Sequence, residues 1–403
     1  MLDWLIVGGG PHGVHAALRL IAEAGVSPDA IRILDDEDHL LARWRRTTRN
    51  TGMRFLRSPS VHHLDLSSAS LNHFASGRGC RIERPFTRPY ARPSLELFDR
   101  HCDDVIERHA LDRLHVRGRA HRLTKGPRGF RVDADDAIGG SVGSIDARRV
   151  LLALGPPSKP AWPDWAREAS SWAGRRIAHL FDPGFELKED FADEVVAVVG
   201  AGISGVQTAL RLARGSRRVH LISRHSLRIH GFDSDPCWQG PLCMASFARE
   251  PDTRARRRMI RSARNRGSIP PDVHAALRVA LAGGHVDWIE AELEIAAPAQ
   301  DRVALSFRDR AIEVDRVLLA TGFPADRPGG AWVDSMVTEL GLPCAECGYP
   351  IVDRALRWHP GLFVTGGLAE LELGPVARNL SGARRAADRL VQVAQSAEPH
   401  PAA

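Results

Sequence analysis

Lysine is nearly absent from this chain. Of 55 basic side chains only Lys125, Lys159 and Lys188 are lysines, and the rest are arginines. That scarcity argues against a Schiff-base lysine as the centre of any chemistry. It favours guanidinium contacts to phosphates, where a planar fork binds bidentately. Cysteine is sparse too, and six in 403 residues do not make a disulfide framework. No apolar run approaches the roughly 18 residues that a membrane span needs. Met1-Leu2-Asp3 passes straight into an apolar strand, without a basic leader. A reducing, cytoplasmic location with no membrane partner is the expectation. No Gly-x-Ser-x-Gly elbow joins a strand to a helix, so no side-chain nucleophile announces itself.

What is present is ordinary globular material, 43% hydrophobic and 26% charged, with a net charge of +6. The length predicts two domains, or three, and a large core. The most informative stretch comes first. Leu5-Ile6-Val7 is a short apolar run, Gly8-Gly9-Gly10-Pro11-His12-Gly13 follows, and Val14 to Leu20 carries apolar residues at helical spacing. Strand, Gly-x-Gly-x-x-Gly and helix together form the dinucleotide fingerprint in its required context. Gly8 makes the tight turn, Gly10 lets backbone approach a pyrophosphate, and Gly13 lets helix and strand pack closely. Ile31 to Leu34 then reads as a second strand, and Asp35-Asp36 at its end offers carboxylate to a ribose diol.

A second unit repeats the pattern. Val195 to Val199 is a buried-type strand, Gly200-Ala201-Gly202-Ile203-Ser204-Gly205 opens a helix, and Val219 to Ile222 ends in Ser223-Arg224. An acid at that strand end favours the free 2′-hydroxyl of NAD, whereas an arginine accommodates the 2′-phosphate of NADP. Arg224 therefore points to NADPH; the plainer alternative is a solvated side chain. Two apolar strands close on glycine, Val150 to Gly155 and Val317 to Gly322, the latter continuing from Thr321 into Phe323-Pro324. Late in the chain, Gly367 ends an apolar strand and Gly374-Pro375 opens a final helix to about Ala394, suiting close approach to a flat ring.

Other segments are read more plainly. Trp44 to Pro59, holding Met53 and Arg57, has no clean period and reads as a loop with short helical pieces, a candidate cofactor wall or a solvated basic loop. Leu95 to Leu111 reads as a surface helix. The arginine run from Arg254 to Arg266 lacks aromatics and reads as one solvated helical face, not a nucleic-acid patch. His62-His63-Leu64-Asp65 has no companion ligands at metal spacing, and no metal is expected. Cys344-Ala345-Glu346-Cys347 has redox spacing but sits in a Pro/Gly loop far from either fingerprint.

Taken together, the two glycine turns, the closing Ala-Leu-Gly and Ala-Thr-Gly strands and the glycine-led final helix resemble the two-dinucleotide-binding flavoproteins over nearly the whole chain. Trp44, Gly52-Met53, Ala320 to Phe323 and Leu362 to Gly367 resemble the class B flavin monooxygenases, in their lysine and ornithine N-hydroxylating branch. Trp172 and Gly174 match part of a further fingerprint of that class, with His179 one residue past its fixed spacing.

The resemblance implies an α/β fold of two Rossmann-like domains. FAD would lie on a discontinuous domain, 1–165 with 319–395, and NADPH on an inserted domain, 166–318, carrying a helical insert at about 226–285; 396–403 would be a tail. It implies hydride transfer to the flavin, a C4a-hydroperoxide, and oxygen transfer from molecular oxygen to a small nucleophilic substrate, with N-hydroxylation favoured. Arg57 and His63 are nominated to approach the flavin, and Arg378 and Asn379 its ring or the nicotinamide. A homo-oligomer is admitted and no nucleic-acid partner is expected. An NAD(P)H-dependent reductase passing electrons to a protein, quinone or disulfide, and a flavin-bearing redox sensor, are the alternatives.

Overall fold

The computed structural model describes residues 1–77, 80–136, 141–157, 159–187, 191 and 193–396. Leu2–Val7 buries Trp4, Leu5, Ile6 and Val7, as expected of a strand covered on both faces. It lies between Ser141–Leu152 and Ile31–Asp35, parallel to both. His115–Arg117 extends the sheet beyond Ile31–Asp35, and Leu362–Val364 pairs in parallel with Val150 to Leu152 on the other side. Ser141–Leu152 serves two structures at once. Its first half closes an antiparallel meander with Arg119–Gly126 and Gly129–Asp135, while its second half runs inside the parallel sheet.

The second sheet is parallel throughout, in the order Val286–Glu290, Arg218–Ser223, Val195–Val199, Arg316–Leu319, Ile177–His179. A meander of Leu293–Ala299, Arg302–Phe307 and Ala311–Val314 stands beside it. The first domain is built from two separated stretches of chain, because the strand Leu362–Val364 and the helix Leu380–Gln395 both return to it. That helix packs along Pro11–Ala22, with Arg19 paired to Asp388 at 2.8 Å and Gln395 donating to the Glu23 carbonyl at 2.7 Å.

Several expectations are corrected. In the stretch read as a loop with short helical pieces, the helical part is one regular helix, Ala42–Asn50, and 51–59 is irregular. Of the region read as an insert, Pro271–Ala282 buries Leu277 in the core of the second sheet and packs on Ile203–Leu212. It is the crossover helix between two parallel strands, and the insert proper ends near Pro270. The arginine run is solvated on one face only, where Arg254, Arg258 and Arg261 are exposed. Thr253–Ala263 buries Arg257 and Ile260 and docks on the short helix Glu370–Leu373. Cys237 and Cys243 form a disulfide. Beyond Ser396 the tail lies outside the described residues, as does Lys188. Among the described residues no helix is long and apolar enough to cross a membrane.

Candidate active site

Both glycine turns are built the same way, and their sterics separate three roles. Gly8 and Gly200 have φ of +117° and +114°, in the left-handed region that favours glycine. A Cβ on either would strike the carbonyl oxygen of the neighbouring strand end, Ala153 at 2.3 Å and Ala320 at 2.7 Å. Gly13 and Gly205 sit where a Cβ would come within 1.9 and 1.7 Å of the Gly8 and Gly200 carbonyl oxygens, so each helix rests directly on its own turn. Gly10 is different: its backbone is extended and a Cβ there would meet nothing within 4 Å. The open side of Gly10, beside a helix that starts at Pro11 with no side-chain cap, fits a pyrophosphate, and so does the matching start after Gly202. Gly202 has one further neighbour, Gly267, whose Cα would lie 3.4 Å from its Cβ. Ile203 and Ser204 open the second helix there.

The strand ends carry contrasting groups. Asp35 accepts from the backbone N–H of Gly9 and, at 2.9 Å, of Glu37. Burial raises its carboxyl above the ordinary value, with those two donors opposing the shift. Asp36 instead pairs with the exposed Arg119 at 2.9 Å. In the second unit the Ser223 hydroxyl is engaged, donating to the His225 carbonyl and accepting from the Trp288 indole, both at 2.9 Å. Arg224 is exposed and makes no ion pair among the described residues, which suits a 2′-phosphate.

His12 ties the first cradle to the returning C-terminal segment. Its Nδ1 lies 2.9 Å from Thr365 Oγ1, and its Nε2 is buried without a protein partner. Burial lowers its pKa to about 4, so the ring is neutral near neutral pH. Gly155 and Gly322 lie on the two segments that cross between the domains, each at positive φ with open space beside it. Thr321 clasps those crossings, donating to the Ala161 carbonyl at 2.5 Å and lying 3.1 Å from His179 Nε2. His179 is fully buried, and burial lowers its pKa to about 4.

The remaining nominated side chains make protein contacts of their own. Arg57 spends its guanidinium on the insert, donating to the carbonyls of His230 (2.7 Å) and Phe232 (3.1 Å), to Ser268 Oγ (2.8 Å) and to Asp233 (2.7 Å). His63 is buried edge-on to His101, 4.9 Å between ring centroids, with Nε2 near the Ser68 carbonyl and Nδ1 accepting from the Asp65 N–H. Asn379 caps the final helix, its Oδ1 accepting from the Gly382 N–H at 3.2 Å and the Ser381 hydroxyl at 2.7 Å. Gly374 packs under Met244 and Phe247 of the insert, with Pro375 buried behind it, and a Cβ on Gly367 would lie 3.0 Å from Pro328. Trp44 and Met53 pack on the core of the first domain.

Arg378 belongs to a buried network that pattern reading did not find. It donates to Glu370 at 2.6 Å and to the Tyr349 hydroxyl at 2.8 Å. Arg257 reaches the other Glu370 oxygen and lies over the Tyr349 ring, 3.7 Å from its centroid. Burial alone would raise the Glu370 carboxyl, but Arg378 and Arg257 together hold it below its ordinary value. Asn50 was also missed. It donates to the Phe185 carbonyl at 2.7 Å and accepts from the Leu187 N–H at 3.0 Å, while Arg211 covers Gly52, so the first domain is keyed to the second domain's helix.

Comparison with known proteins agrees with this geometry. Residues 5–157 match the family model described as FAD-NAD(P)-binding. No curated protein matches at the sequence level. Among solved structures, the fold is similar to reduced ornithine hydroxylase from Pseudomonas aeruginosa, with 16% identity, 98% of this chain and 99% of that one covered, and a TM-score of 0.76. It is similar to the ornithine N-hydroxylase of Kutzneria sp. 744, solved with reduced FAD, NADP+ and L-ornithine, at 17% identity, 98% and 99% coverage and a TM-score of 0.74. Bacillithiol disulfide reductase from Bacillus cereus follows at 18% identity, the same coverages and a TM-score of 0.62.

Proposed function

From the premise that residues 5–157 are an FAD-NAD(P)-binding domain and that the chain has the two-domain Rossmann-type flavoprotein fold, we propose an FAD- and NADPH-dependent monooxygenase acting on a small nucleophilic substrate, with N-hydroxylation the favoured reaction. FAD would rest on Gly8 to Gly13 with Asp35 near its ribose. NADPH would rest on Gly200 to Gly205 with Arg224 at its 2′-phosphate. When bound, the flavin accepts hydride from the nicotinamide and activates oxygen for transfer. The chain's own work is to position both cofactors and to exclude water.

The observation that carries the reading is the docking of the second domain's insert on the first domain's C-terminal segment. Arg257, Glu370, Arg378 and Tyr349 lock that contact, and Met244 and Phe247 cover Gly374. Such a roof suits oxygen transfer, which needs a dry site. His12, neutral by virtue of its burial, adds no charge of its own near the first cradle. One observation favours a reductase instead: the Cys347 sulfur lies 3.4 Å from two nitrogens of Arg257, at the seam between the insert and the C-terminal segment.

The test is to reduce the FAD-loaded protein anaerobically with NADPH and mix it rapidly with oxygen. A spectrum distinct from both oxidised and reduced flavin, persisting until an amine substrate is added, supports oxygenation. Immediate return to the oxidised spectrum, with electrons delivered to a disulfide, supports the reductase.

A further inference from the structure

The roof over Gly374 carries a disulfide that neither cradle requires. Cys237 and Cys243 are six residues apart and join the short helix Pro236–Gln239 to the first turn of the helix Pro241–Arg249. The other four cysteines, Cys80, Cys102, Cys344 and Cys347, are free. One short-range bond among mostly free thiols is not a framework that holds a fold together. Both bonded cysteines are half-buried, so a small reductant can reach them, and Leu242 between them is 83% exposed. A groove of about 420 Å³ opens beside the same loop, lined by Gln239, Gly240, Pro241 and Met244 on one side and by Arg385 and Asp388 of the final helix on the other.

Each of the two cysteines is followed by a residue that packs inward. Trp238 and Met244 sit on a small apolar cluster with Phe247, Tyr349 and Leu371, and the Trp238 and Phe247 rings stand nearly perpendicular, 6.3 Å between centroids. A Cβ on Gly374 would lie 3.1 Å from the Met244 sulfur. The far end of Pro241–Arg249 is tied down independently, since Arg256 donates to the Glu250 carbonyl at 2.7 Å and to the Leu371 carbonyl at 2.9 Å. The near end starts without a side-chain cap. The disulfide fixes it to Pro236–Gln239, whose Trp238 carbonyl accepts from Arg385 at 3.2 Å. Cutting the sulfur bond therefore frees the end that carries Met244, while the other end stays hinged at Arg256.

We propose that Cys237–Cys243 is a reversible redox staple on the roof: a dithiol cleaves it, Met244 lifts from Gly374, and water enters the site. This rests on the monooxygenase reading and supplies its regulation. In cleavage the S–S bond takes two electrons and two protons from the reductant, two cysteine thiols form, and the reductant leaves as its own disulfide. Closure uses hydrogen peroxide as the oxidant. One cysteine thiol becomes a sulfenic acid with release of water, and the second thiol displaces another water as the S–S bond re-forms. Water in the site diverts activated oxygen to hydrogen peroxide, so an open roof generates the oxidant that shuts it.

The FAD-loaded protein is compared before and after treatment with dithiothreitol, which is then removed by gel filtration. Alkylation of the denatured chain should find four thiols before treatment and six after it. Amide hydrogen exchange at 238–247 and 371–374 should become about tenfold faster on reduction, with no change at Val195 to Val199. The initial rate of peroxide release on adding NADPH in air, without substrate, should rise severalfold, and hydrogen peroxide should restore slow exchange. Cys237→Ser combined with Cys243→Ser should show the loose pattern from the start and ignore dithiothreitol. Cys344→Ser combined with Cys347→Ser should respond as the natural protein does. Six thiols before treatment overturn the proposal without need of any variant, and so does exchange that reduction leaves unchanged. A response that survives loss of Cys237 and Cys243 belongs to other cysteines and likewise overturns it, as does a loosened roof with an unaltered peroxide rate. Bleaching by NADPH is recorded on the same samples. Intact bleaching with an unresponsive roof sinks the staple alone, whereas no bleaching in either state sinks the flavoenzyme reading beneath it.

Discussion

Gly10 and Gly13 lie three residues apart in one turn, yet substitution should harm them in opposite ways. At Gly13 a methyl group would lie 1.9 Å from the Gly8 carbonyl oxygen, where real Cβ contacts keep beyond 3.0 Å. The helix Pro11–Ala22 must therefore retreat by about 1 Å or more, and such overpacking costs ~1–3 kcal/mol or more. For a chain of this size that lowers Tm by roughly 2–4 °C per kcal/mol, with or without FAD. At Gly10 the backbone is extended, with φ −75° and ψ −177°, and a Cβ meets nothing. Gly10→Leu should fold as well as the natural protein. Its side chain would nonetheless occupy the space for the pyrophosphate and displace it from the helix start. Losing two charge-assisted contacts at ~1.5–3 kcal/mol each weakens FAD by about 10²–10⁴-fold. Differential scanning fluorimetry on the FAD-stripped proteins and flavin content after gel filtration measure the two effects. A yellow Gly10→Leu protein, or a Gly13→Ala protein of unchanged Tm, would refute the reasoning.

Other perturbations follow from the same geometry. Arg224→Glu should weaken NADPH by about tenfold more than NADH, measured as anaerobic flavin reduction against coenzyme concentration, and equal effects would remove the 2′-phosphate argument. Glu370→Gln leaves Arg257 and Arg378 with no carboxylate between them and should cost ~3–5 kcal/mol at pH 7 in urea unfolding. Because the Glu370 pKa is depressed in the folded state, that difference is present above its unfolded value and shrinks as pH falls through the folded one; a constant difference down to pH 3 would count against the pair. His179 is lowered to about 4 in the folded protein, so the unfolded chain binds the extra proton between pH 6.5 and 4. Stability should drop over that window on acidification, and His179→Gln should flatten the fall in Tm. Arg57→Ala should leave FAD in place while exposing the segment around His230 to Phe232 to proteolysis, and a protease map like that of the natural protein would contradict its clasping role.

Local pattern carried the cradles because glycine spacing, strand and helix all lie within some thirty residues of each other. The sterics that make Gly13 and Gly205 necessary begin within their own turns, at the Gly8 and Gly200 carbonyl oxygens. The buried arginines were illegible for the opposite reason. Arg257 finds Glu370 across 113 residues, and nothing in the run Arg254 to Arg266 marks which guanidinium turns inward. Arg257 and Ile260, three apart, form the buried stripe, but such a stripe carrying one arginine looks like any solvated helix. Asn50 and His179 were hidden similarly, each satisfied by a partner more than 130 residues away. Pro271–Ala282 was misassigned because its apolar residues resemble those of an insert helix, and only the parallel pairing of Arg218–Ser223 with Val286–Glu290 shows that a crossover is required.

The central claim is that two glycine cradles hold FAD and NADPH where hydride can pass between them. The visible spectrum of the purified protein, followed anaerobically as NADPH is added, tests it most directly. The account predicts a yellow protein with stoichiometric FAD that NADPH bleaches, and more readily than NADH does. A protein that stays colourless when FAD is supplied, or yellow protein that no nicotinamide coenzyme reduces, would contradict it.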